Sequence, residues 1–275
     1  MSTRLYKSFA VSVSAVGMAL AVYSAAQANP LLPVQNLTFS NFTGSFSPKN
    51  PFTDVNPVGW TGGTGLIAID APGTATGTGT TGNAYAVYGP FADPPPGGNF
   101  IQADGNPTFE TAFNQVITGL QIGQAYDLSF WQAAGQQQGF SGATTEQWKV
   151  FFGSGTFSVV DAANTANNCT NSAASCTTTM SGSIVEKDSL MMNTPSKGVS
   201  PWNLVTMTFT ADAVSDTLSF LAWGDGGSTA NLPPTVFLAG VNTPAQVPEP
   251  ATLSLFVAGL LGFGLLWFAR RKAAV

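Results

Sequence analysis

Apolar and polar residues alternate over short distances between positions 29 and 247, as they do in β-strands. The segment 202–210 is the clearest case, because Val205, Met207 and Phe209 fall on one face and three threonines on the other. Similar segments are rich in Val, Ile, Thr and aromatic residues and are bounded by Gly, Pro, Asn or Asp. The pattern predicts strands at 34–42, 65–69, 83–88, 99–103, 109–117, 125–132, 146–152, 202–210, 217–222 and 235–241.

No segment between the two termini keeps a helical spacing of apolar residues over three turns. The segments 127–131 and 217–221 share a Leu-x-Phe pattern, which is typical of two strands that cross one core. Short strands separated by turns, without helices between them, favour two packed sheets. We therefore expect an all-β fold, a jelly-roll-type antiparallel β-sandwich.

Three segments lack the strand pattern and are expected to be loops or insertions: 73–82, 93–98 and 161–183. Cys169 and Cys176 lie in the last of them. In an oxidising compartment so close a pair favours a local disulfide. The rival interpretations are a two-thiolate metal site and a nucleophilic cysteine, which would need further ligands or a histidine base.

The two ends of the chain have the composition of targeting segments. Residues 1–28 carry Arg4 and Lys7, then an uncharged stretch, then Ala26-Gln27-Ala28, which predicts a secretory signal peptide. Residues 251–269 contain no charge and would form a helix about 29 Å long, close to the thickness of the bilayer's hydrocarbon core. They are followed by a basic end made of Arg270, Arg271 and Lys272.

These segments divide the chain into a signal peptide at 1–28, an ectodomain at 29–245 and a C-terminal signal at 246–275 with a single transmembrane helix. Because basic residues flank both apolar segments, the positive-inside rule keeps both flanks cytoplasmic and exports what lies between them. We expect export through the inner membrane with a transient C-terminal anchor.

Composition and charge exclude several kinds of function. The sequence has no histidine, which removes Ser-His-Asp and Cys-His catalysis and imidazole ligands for zinc. The net charge is −5, and the exported part alone has thirteen acidic residues against four lysines, a net charge of −9. Such a surface does not bind the phosphate backbone of nucleic acid, and it repels anionic polymers.

Carboxylates are the remaining acid–base groups. A glycosidase would need two of them on either side of a cleft. The candidates, none in a recognisable catalytic signature, are Asp104, Glu110, Asp127, Glu146, Glu186, Asp188 and Asp225. Asp225 lies between glycines, where a turn could also bind Ca²⁺ with help from main-chain carbonyls.

Aromatic side chains beside loops are candidates for stacking on sugar rings. Four of them lie next to Gly/Pro loops: Trp60, Tyr85, Tyr88 and Phe91. Trp131, Trp148 and Trp202 are instead expected to fill the core. The alternative for the first four is core filling as well.

The C-terminal signal resembles the PEP-CTERM sorting signal of Gram-negative bacteria. Three features carry the resemblance: Pro248, Glu249 and Pro250, the apolar helix after them, and the basic end. The resemblance implies recognition by an exosortase, a transpeptidase-like membrane enzyme, and removal of the helix. Such proteins are linked to exopolysaccharide and to biofilm-forming species. The Pro-Glu-Pro motif would be recognised by the exosortase and would not itself take part in catalysis.

The ectodomain resembles galactose-binding-domain-like sandwiches over nearly its whole length. The motifs responsible include Val58-Gly59-Trp60, Phe113-Asn114-Gln115-Val116-Ile117 and Leu128-Ser129-Phe130-Trp131. The resemblance implies a jelly-roll fold and frequent glycan binding, often with calcium at one edge. Relatives close with Leu-Asp-Asp-Val or Leu-Asp-Asn-Val, whereas this chain has Leu238-Ala239-Gly240-Val241 and lacks that carboxylate.

Together these observations favour a non-enzymatic cell-surface or extracellular-matrix protein that is sorted by an exosortase, needs no cofactor and contacts exopolysaccharide. Two alternatives stay open. One is a purely structural matrix protein without a ligand, and the other is a carboxylate-dependent glycan hydrolase or lyase.

Overall fold

The computed structural model describes residues 28–43, 56–63, 65–76, 86–107, 111–161, 176–225 and 234–243. These residues form strands and connecting turns, without a helix. In chain order the strands are β1 (Phe42–Thr43), β2 (Asn56–Pro57), β3 (Thr61–Gly62), β4 (Ile67–Asp70), β5 (Phe100–Asp104), β6 (Phe113–Thr118), β7 (Ala125–Gln136), β8 (Thr144–Gly153), β9 (Gly155–Asp161), β10 (Cys176–Gly182), β11 (Val185–Asp188), β12 (Met192–Thr194), β13 (Val199–Thr210), β14 (Ser215–Asp225) and β15 (Pro234–Ala239).

Two main sheets build the domain. A five-stranded sheet has the order β13-β7-β15-β5-β4, and a six-stranded sheet has the order β11-β8-β14-β6-β3, with β12 also pairing with β8. Every pair of neighbouring strands in them is antiparallel. The predicted all-β, antiparallel sandwich is therefore confirmed.

The core lies between the two sheets. Phe130 of β7 and Phe220 of β14 meet edge to face with ring centroids 5.2 Å apart, so the two Leu-x-Phe strands do cross one core. Trp148 of β8 is fully buried and ties the sheets together, because its Nε1 donates to the carbonyl oxygen of Phe237 at 3.0 Å. A buried indole needs such a partner, since an unpaired N–H inside a core is costly.

The alternation predicted for residues 202–210 is also observed. Met207 and Phe209 are buried and Val205 is half-buried, while the intervening threonines are exposed. Strand β13 therefore covers the core with one face and meets solvent with the other.

The predicted strand at 34–42 is wrong over most of its length. Residues 34–41 form turns, in which Asn36 and Phe39 have φ angles of 53° and 51°. The Asn36 side chain stabilises the turn, because Nδ2 donates to the carbonyl oxygens of Asn41 and Val58 while Oδ1 accepts from the Asn41 amide. The asparagine side chain thus replaces the bonds that a sheet would have supplied.

The predicted loop at 161–183 is wrong at its described end. Residues 176–182 form β10, which pairs with β9 in a separate two-stranded sheet. The many threonines in this segment explain the strand, because β-branched side chains favour extended backbone even without an apolar face. Of the predicted strand at 83–88, the described part contributes a single bridge, between Val87 and Gln137.

The predicted transmembrane helix at 251–269 and residues 1–27 of the predicted signal peptide lie outside the described residues. Within the part of the chain that the structure describes, no helix is long and apolar enough to span a membrane.

Candidate functional site

Trp60, proposed above as a sugar-stacking residue, is buried. Its exposed fraction is 4%, its ring stacks on Phe113 with centroids 4.4 Å apart, and its Nε1 donates to the Gln35 carbonyl at 3.2 Å. Gly59, with a φ of 85°, turns the chain so that the indole points inward. The expectation of an accessible ring at Trp60 is therefore wrong, and core filling is the correct interpretation.

Phe91 and Tyr88 are partly buried, and Phe91 packs against the outer face of the five-stranded sheet. The Tyr88 hydroxyl donates to the Phe140 carbonyl at 3.0 Å, which fixes this ring along the chain that follows β7. The Phe91 ring lies 4.5 Å from Phe237 of β15. Tyr85, the remaining aromatic candidate, lies outside the described residues.

Two tryptophans that were predicted to fill the core pack instead on the apolar cluster at the outer face of the five-stranded sheet. Trp202 is 5.7 Å from Phe91, centroid to centroid, and both Trp202 and Trp131 are partly buried and pack on the same small apolar cluster outside the main core. We call Phe91, Trp131 and Trp202 the outer aromatic patch. The rings of Phe100 and Phe237 form its buried floor.

The outer aromatic patch is held in place by hydrogen bonds as well as by packing. Nε1 of Trp202 donates to the Ala92 carbonyl at 2.7 Å, which joins β13 to the loop that carries Phe91. The same loop is held at Asp93, whose Oδ1 accepts from the Gly73 amide at 2.6 Å. The patch is therefore preorganised at Trp202, whose indole N–H already has a hydrogen-bond partner.

Hydroxyl groups continue the surface along β7 and β13. Trp131 stands opposite Leu204, and the next outward positions along the two strands are Ser129 and Thr206. Thr208 is exposed and donates to Oδ1 of Asp127 at 2.7 Å. Hydrogen bonds from Thr208 and Asn29 lower the pKa of Asp127, so this carboxylate stays ionised at the rim.

A cleft lies where β8 begins and where β12 and β14 end. Its volume is about 340 Å³. Its lining is mainly apolar in surface and includes three threonines, an asparagine and one carboxylate: Ala143, Thr144, Thr145, Asn193, Thr194, Pro195 and Asp225.

Glu146 lies behind the wall of this cleft and is fully buried. Its Oε2 accepts from the Thr194 hydroxyl at 2.8 Å, whereas its Oε1 has no hydrogen-bond partner among the described residues. Burial raises the pKa of Glu146 to about 8, against the opposing effect of the Thr144 and Thr194 hydroxyls. At neutral pH the side chain is thus a neutral carboxylic acid, which is far less costly to bury than a carboxylate.

Of the other candidate carboxylates that the structure describes, Asp225 alone lines this cleft. Burial raises the pKa of Asp104 to about 6, but Asp104 does not line the cleft and its Oδ1 accepts from the Asn106 amide at 2.7 Å. Glu186 and Asp188 pair with Lys149 on the outer face of the six-stranded sheet. Burial raises the pKa of Asp188, while Lys149 opposes that shift. Glu110 lies outside the described residues.

Asp225 is half-buried at the cleft, and its carbonyl accepts from the Thr145 hydroxyl at 3.5 Å. Across the described ranges, no three acidic, cysteine or histidine side chains lie close enough to hold a metal ion together. Calcium binding at Asp225 therefore stays a prediction. Cys176 is part of a disulfide, and Cys169 lies outside the described residues, so their pairing also stays a prediction.

The strand alternation in the sequence already indicated that Trp131 faces outward, although Trp131 was predicted to fill the core. In the run Asp127-Leu128-Ser129-Phe130-Trp131, the core side chains are Leu128 and Phe130, so Trp131 must share the outer face with Asp127 and Ser129. No comparable signal marks Trp202, because a register shift between Ser200 and Asn203 interrupts the alternation there.

Comparisons with known proteins add little on the sandwich. No curated protein matches the chain. One solved structure that it resembles is the enzymatically active domain of bacteriophage CBA120 tailspike protein 4, with 10% sequence identity and a TM-score of 0.30 over 73% of this chain. The match spans 21% of the tailspike chain, and at this similarity it supports no argument about activity.

The C-terminal comparison is specific. Residues 246–272 match the family described as the PEP-CTERM protein-sorting motif, and Pro248, Glu249, Pro250, Arg270, Arg271 and Lys272 all lie within the matched segment. These residues lie outside the described part of the structure. The chain therefore carries a PEP-CTERM sorting motif, the mark of an exported protein that an exosortase sorts.

Proposed function

We propose that this protein is a non-enzymatic component of the cell surface or extracellular matrix that contacts exopolysaccharide through the outer aromatic patch. The observation that carries the proposal is the placement of Phe91, Trp131 and Trp202 on one outer sheet face, each partly buried with part of its surface exposed, and continuous with a row of hydroxyls. The sorting motif supplies the compartment, since an exported protein of this type meets polysaccharide outside the cell.

The chemistry of the outer aromatic patch suits a neutral sugar chain. Aromatic rings stack on the C–H faces of sugar rings, and nearby hydroxyls such as Thr206 can exchange hydrogen bonds with sugar hydroxyls. Trp202 is already fixed by its hydrogen bond to Ala92, and all three rings pack on the buried floor, so binding requires little further ordering of side chains. The acidic exported part repels anionic polymers, which favours a neutral glycan.

The cleft at Asp225 also supports a non-catalytic role, but less directly than the outer aromatic patch does. A glycosidase places two carboxyl groups about 5 to 9.5 Å apart on either side of the bond that it cleaves. The described lining of the cleft contains one carboxylate, Asp225, while Glu146 is enclosed behind Thr194.

One observation favours the glycan hydrolase as a second candidate. A general acid must hold its proton near neutral pH, and the raised pKa of Glu146 meets that condition. Its complete burial argues against this role, because a catalytic acid must reach the glycosidic oxygen.

The test is a pull-down of the exported protein with polysaccharide from its producing strain and with a panel of neutral and anionic polysaccharides. Trp202→Ala and Phe91→Ala should each weaken binding at least about fivefold. The matched control is Trp223→Ala, a half-buried tryptophan on the outer face of the other sheet. Equal binding by all variants would overturn the aromatic patch as the contact surface.

The same panel separates the alternatives. Absence of binding to every polysaccharide, with no products released, would favour a purely structural matrix protein. Release of oligosaccharides that Glu146→Gln abolishes would instead favour the hydrolase or lyase.

A further inference from the structure

Strands β9 and β10 form a two-stranded ribbon that is inserted between β8 and β11. Gly155 pairs with Gly182 at its base and Thr177 with Val160 near its far end. Among the described residues each strand pairs with the other alone, so the backbone of 177–181 presents one side without a neighbouring strand. An exposed edge of this kind is a template for pairing with another chain.

The inward face of the ribbon fixes it on the sandwich. The Phe157 ring stacks on Phe151 of β8, with centroids 3.8 Å apart and planes 5° from parallel. The Thr178 hydroxyl donates to Glu186 of β11. Gly155 lets the two strands approach closely at the base, because a Cβ there would lie 2.2 Å from the Ser181 carbonyl oxygen. The ribbon is therefore packed against the sandwich by specific side-chain contacts.

The outward face is small, flat and uncharged. Thr156 and Ser181 share a hydrogen bond of 2.8 Å between their hydroxyls, and Ser158 and Thr179 share another of the same length. In both strands together, Asp161 is the one ionisable acid or base apart from the disulfide-bonded Cys176. Threonine, serine and valine at these positions favour extended backbone.

The strands at the ends of the two main sheets, β11, β3, β13 and β4, carry features that hinder strand pairing. Strand β11 contains three consecutive charges, Glu186, Lys187 and Asp188. Strand β13 contains Pro201, has a register shift beside it and is covered at Thr208, whose carbonyl accepts from Nζ of Lys187. Strands β3 and β4 are short. Charges, proline, irregularities and short length are the usual protections of an edge, and the ribbon has none of these along 177–181.

The distribution of charge also favours the ribbon as the surface of contact between two copies of the protein. Thirteen acidic residues against four lysines make two exported domains repel each other over most of their surface. The ribbon carries Asp161 as its one acidic or basic side chain, and none along 177–181, so repulsion between copies is reduced at this edge. A second copy presents the same uncharged edge, which is the self-complementarity that a two-fold interface requires.

We propose that the ribbon is a self-association surface, in which the β10 edge of one copy pairs antiparallel with the β10 edge of a second copy. Each ribbon then becomes half of a four-stranded sheet with main-chain hydrogen bonds between the copies. This role is separate from glycan contact, because the outer aromatic patch lies on the other sheet. It gives a matrix protein a contact between its own copies.

Sedimentation velocity of the exported protein, without polysaccharide, tests the proposal over a wide concentration range. The wild type should shift from monomer to dimer as concentration rises. Thr179→Lys, which sets two like charges near each other across the pair, should weaken the dimer at least about fivefold. The matched control is Thr118→Lys, also an exposed strand threonine, which should leave association unchanged.

A wild type that stays monomeric at every concentration would overturn the proposal, as would equal weakening by both lysine variants. Hydrogen exchange of the wild type gives an independent test if Thr179→Lys fails to fold. Amides of 177–181 should exchange more slowly as concentration rises, whereas those of β13 should not change. Concentration-independent exchange in 177–181 would contradict the pairing.

Discussion

Thr194 donates a hydrogen bond of 2.8 Å to Oε2 of Glu146, and this carboxyl group is fully buried at the end of the sandwich. The folded protein holds the proton of Glu146 up to about pH 8, whereas the unfolded chain releases it near the ordinary value of 4.5. The contribution of Glu146 to stability is therefore greatest below pH 4.5 and falls as the pH rises to about 8. The slope cannot exceed about 1.4 kcal/mol per pH unit.

Chemical unfolding at several pH values checks this prediction. Burial also raises the pKa values of Asp104 and Asp216 to about 6, so these two groups contribute at the lower end of the interval between pH 6 and 8, where the Glu146→Gln variant identifies the part that belongs to Glu146. The free energy of unfolding of the wild type should fall across that interval, and Glu146→Gln should flatten the fall. Asp127→Asn is the control, because the pKa of Asp127 is lowered and its titration lies in a more acidic range. A wild-type profile that is flat between pH 6 and 8 would contradict the burial of a neutral acid.

Trp60→Ala should act on stability. The Trp60 ring stacks on Phe113 and is enclosed, so its removal leaves a cavity and should lower the free energy of unfolding by about 3 to 5 kcal/mol. Leu190→Ala, at a side chain that is 79% exposed, should change it by less than about 0.5 kcal/mol. Denaturant titration distinguishes the two. A Trp60→Ala protein of wild-type stability would mean that the indole is accessible, as the sequence had predicted.

Salt should have little effect on the binding of a neutral polysaccharide. The outer aromatic patch contains rings and hydroxyls, and contacts of that kind are insensitive to screening. Titrations at low and high ionic strength should therefore give dissociation constants within about twofold of each other. A steep loss of affinity with salt would show that ionised groups such as Asp127 make the contact instead.

Cys169 and Cys176 should be joined to each other. Peptide mapping of the unreduced exported protein should recover one linked pair of peptides, and reduction should separate them. A ring this small is expected to stabilise by about 2 to 3 kcal/mol. Because β9 and β10 form their own sheet, Cys176→Ser should increase proteolysis within the ribbon more than elsewhere. Disulfide-linked dimers would contradict the local pairing.

The fold class followed from the sequence because strand alternation is a local property, as at Val205, Met207 and Phe209. The turn at Asn36 did not, since a single side chain bonded to residues as distant as Val58 overrides an apolar pattern. Strand β10 was missed because the residues that form it are polar, and only its pairing with β9 makes it a strand.

The candidate site was less accessible to prediction for a similar reason. Exposure of an aromatic ring depends on which distant segment covers it. A glycine or proline next to the ring in sequence does not predict whether such a segment is present. Trp60 lies next to a glycine and is covered by Phe39 and Phe113, while Trp202 lies in a long strand and is only partly buried. The sorting motif, in contrast, is read from contiguous residues, and so the sequence alone was sufficient for it.

Mass spectrometry of the carboxyl terminus of the exported protein tests most directly whether the chain is sorted through a removable tail. The account predicts a mature form that ends before the apolar segment and lacks residues 251–275, together with an uncleaved form in the inner membrane of a strain without its exosortase. Exported material that keeps residues 251–275 intact would contradict it.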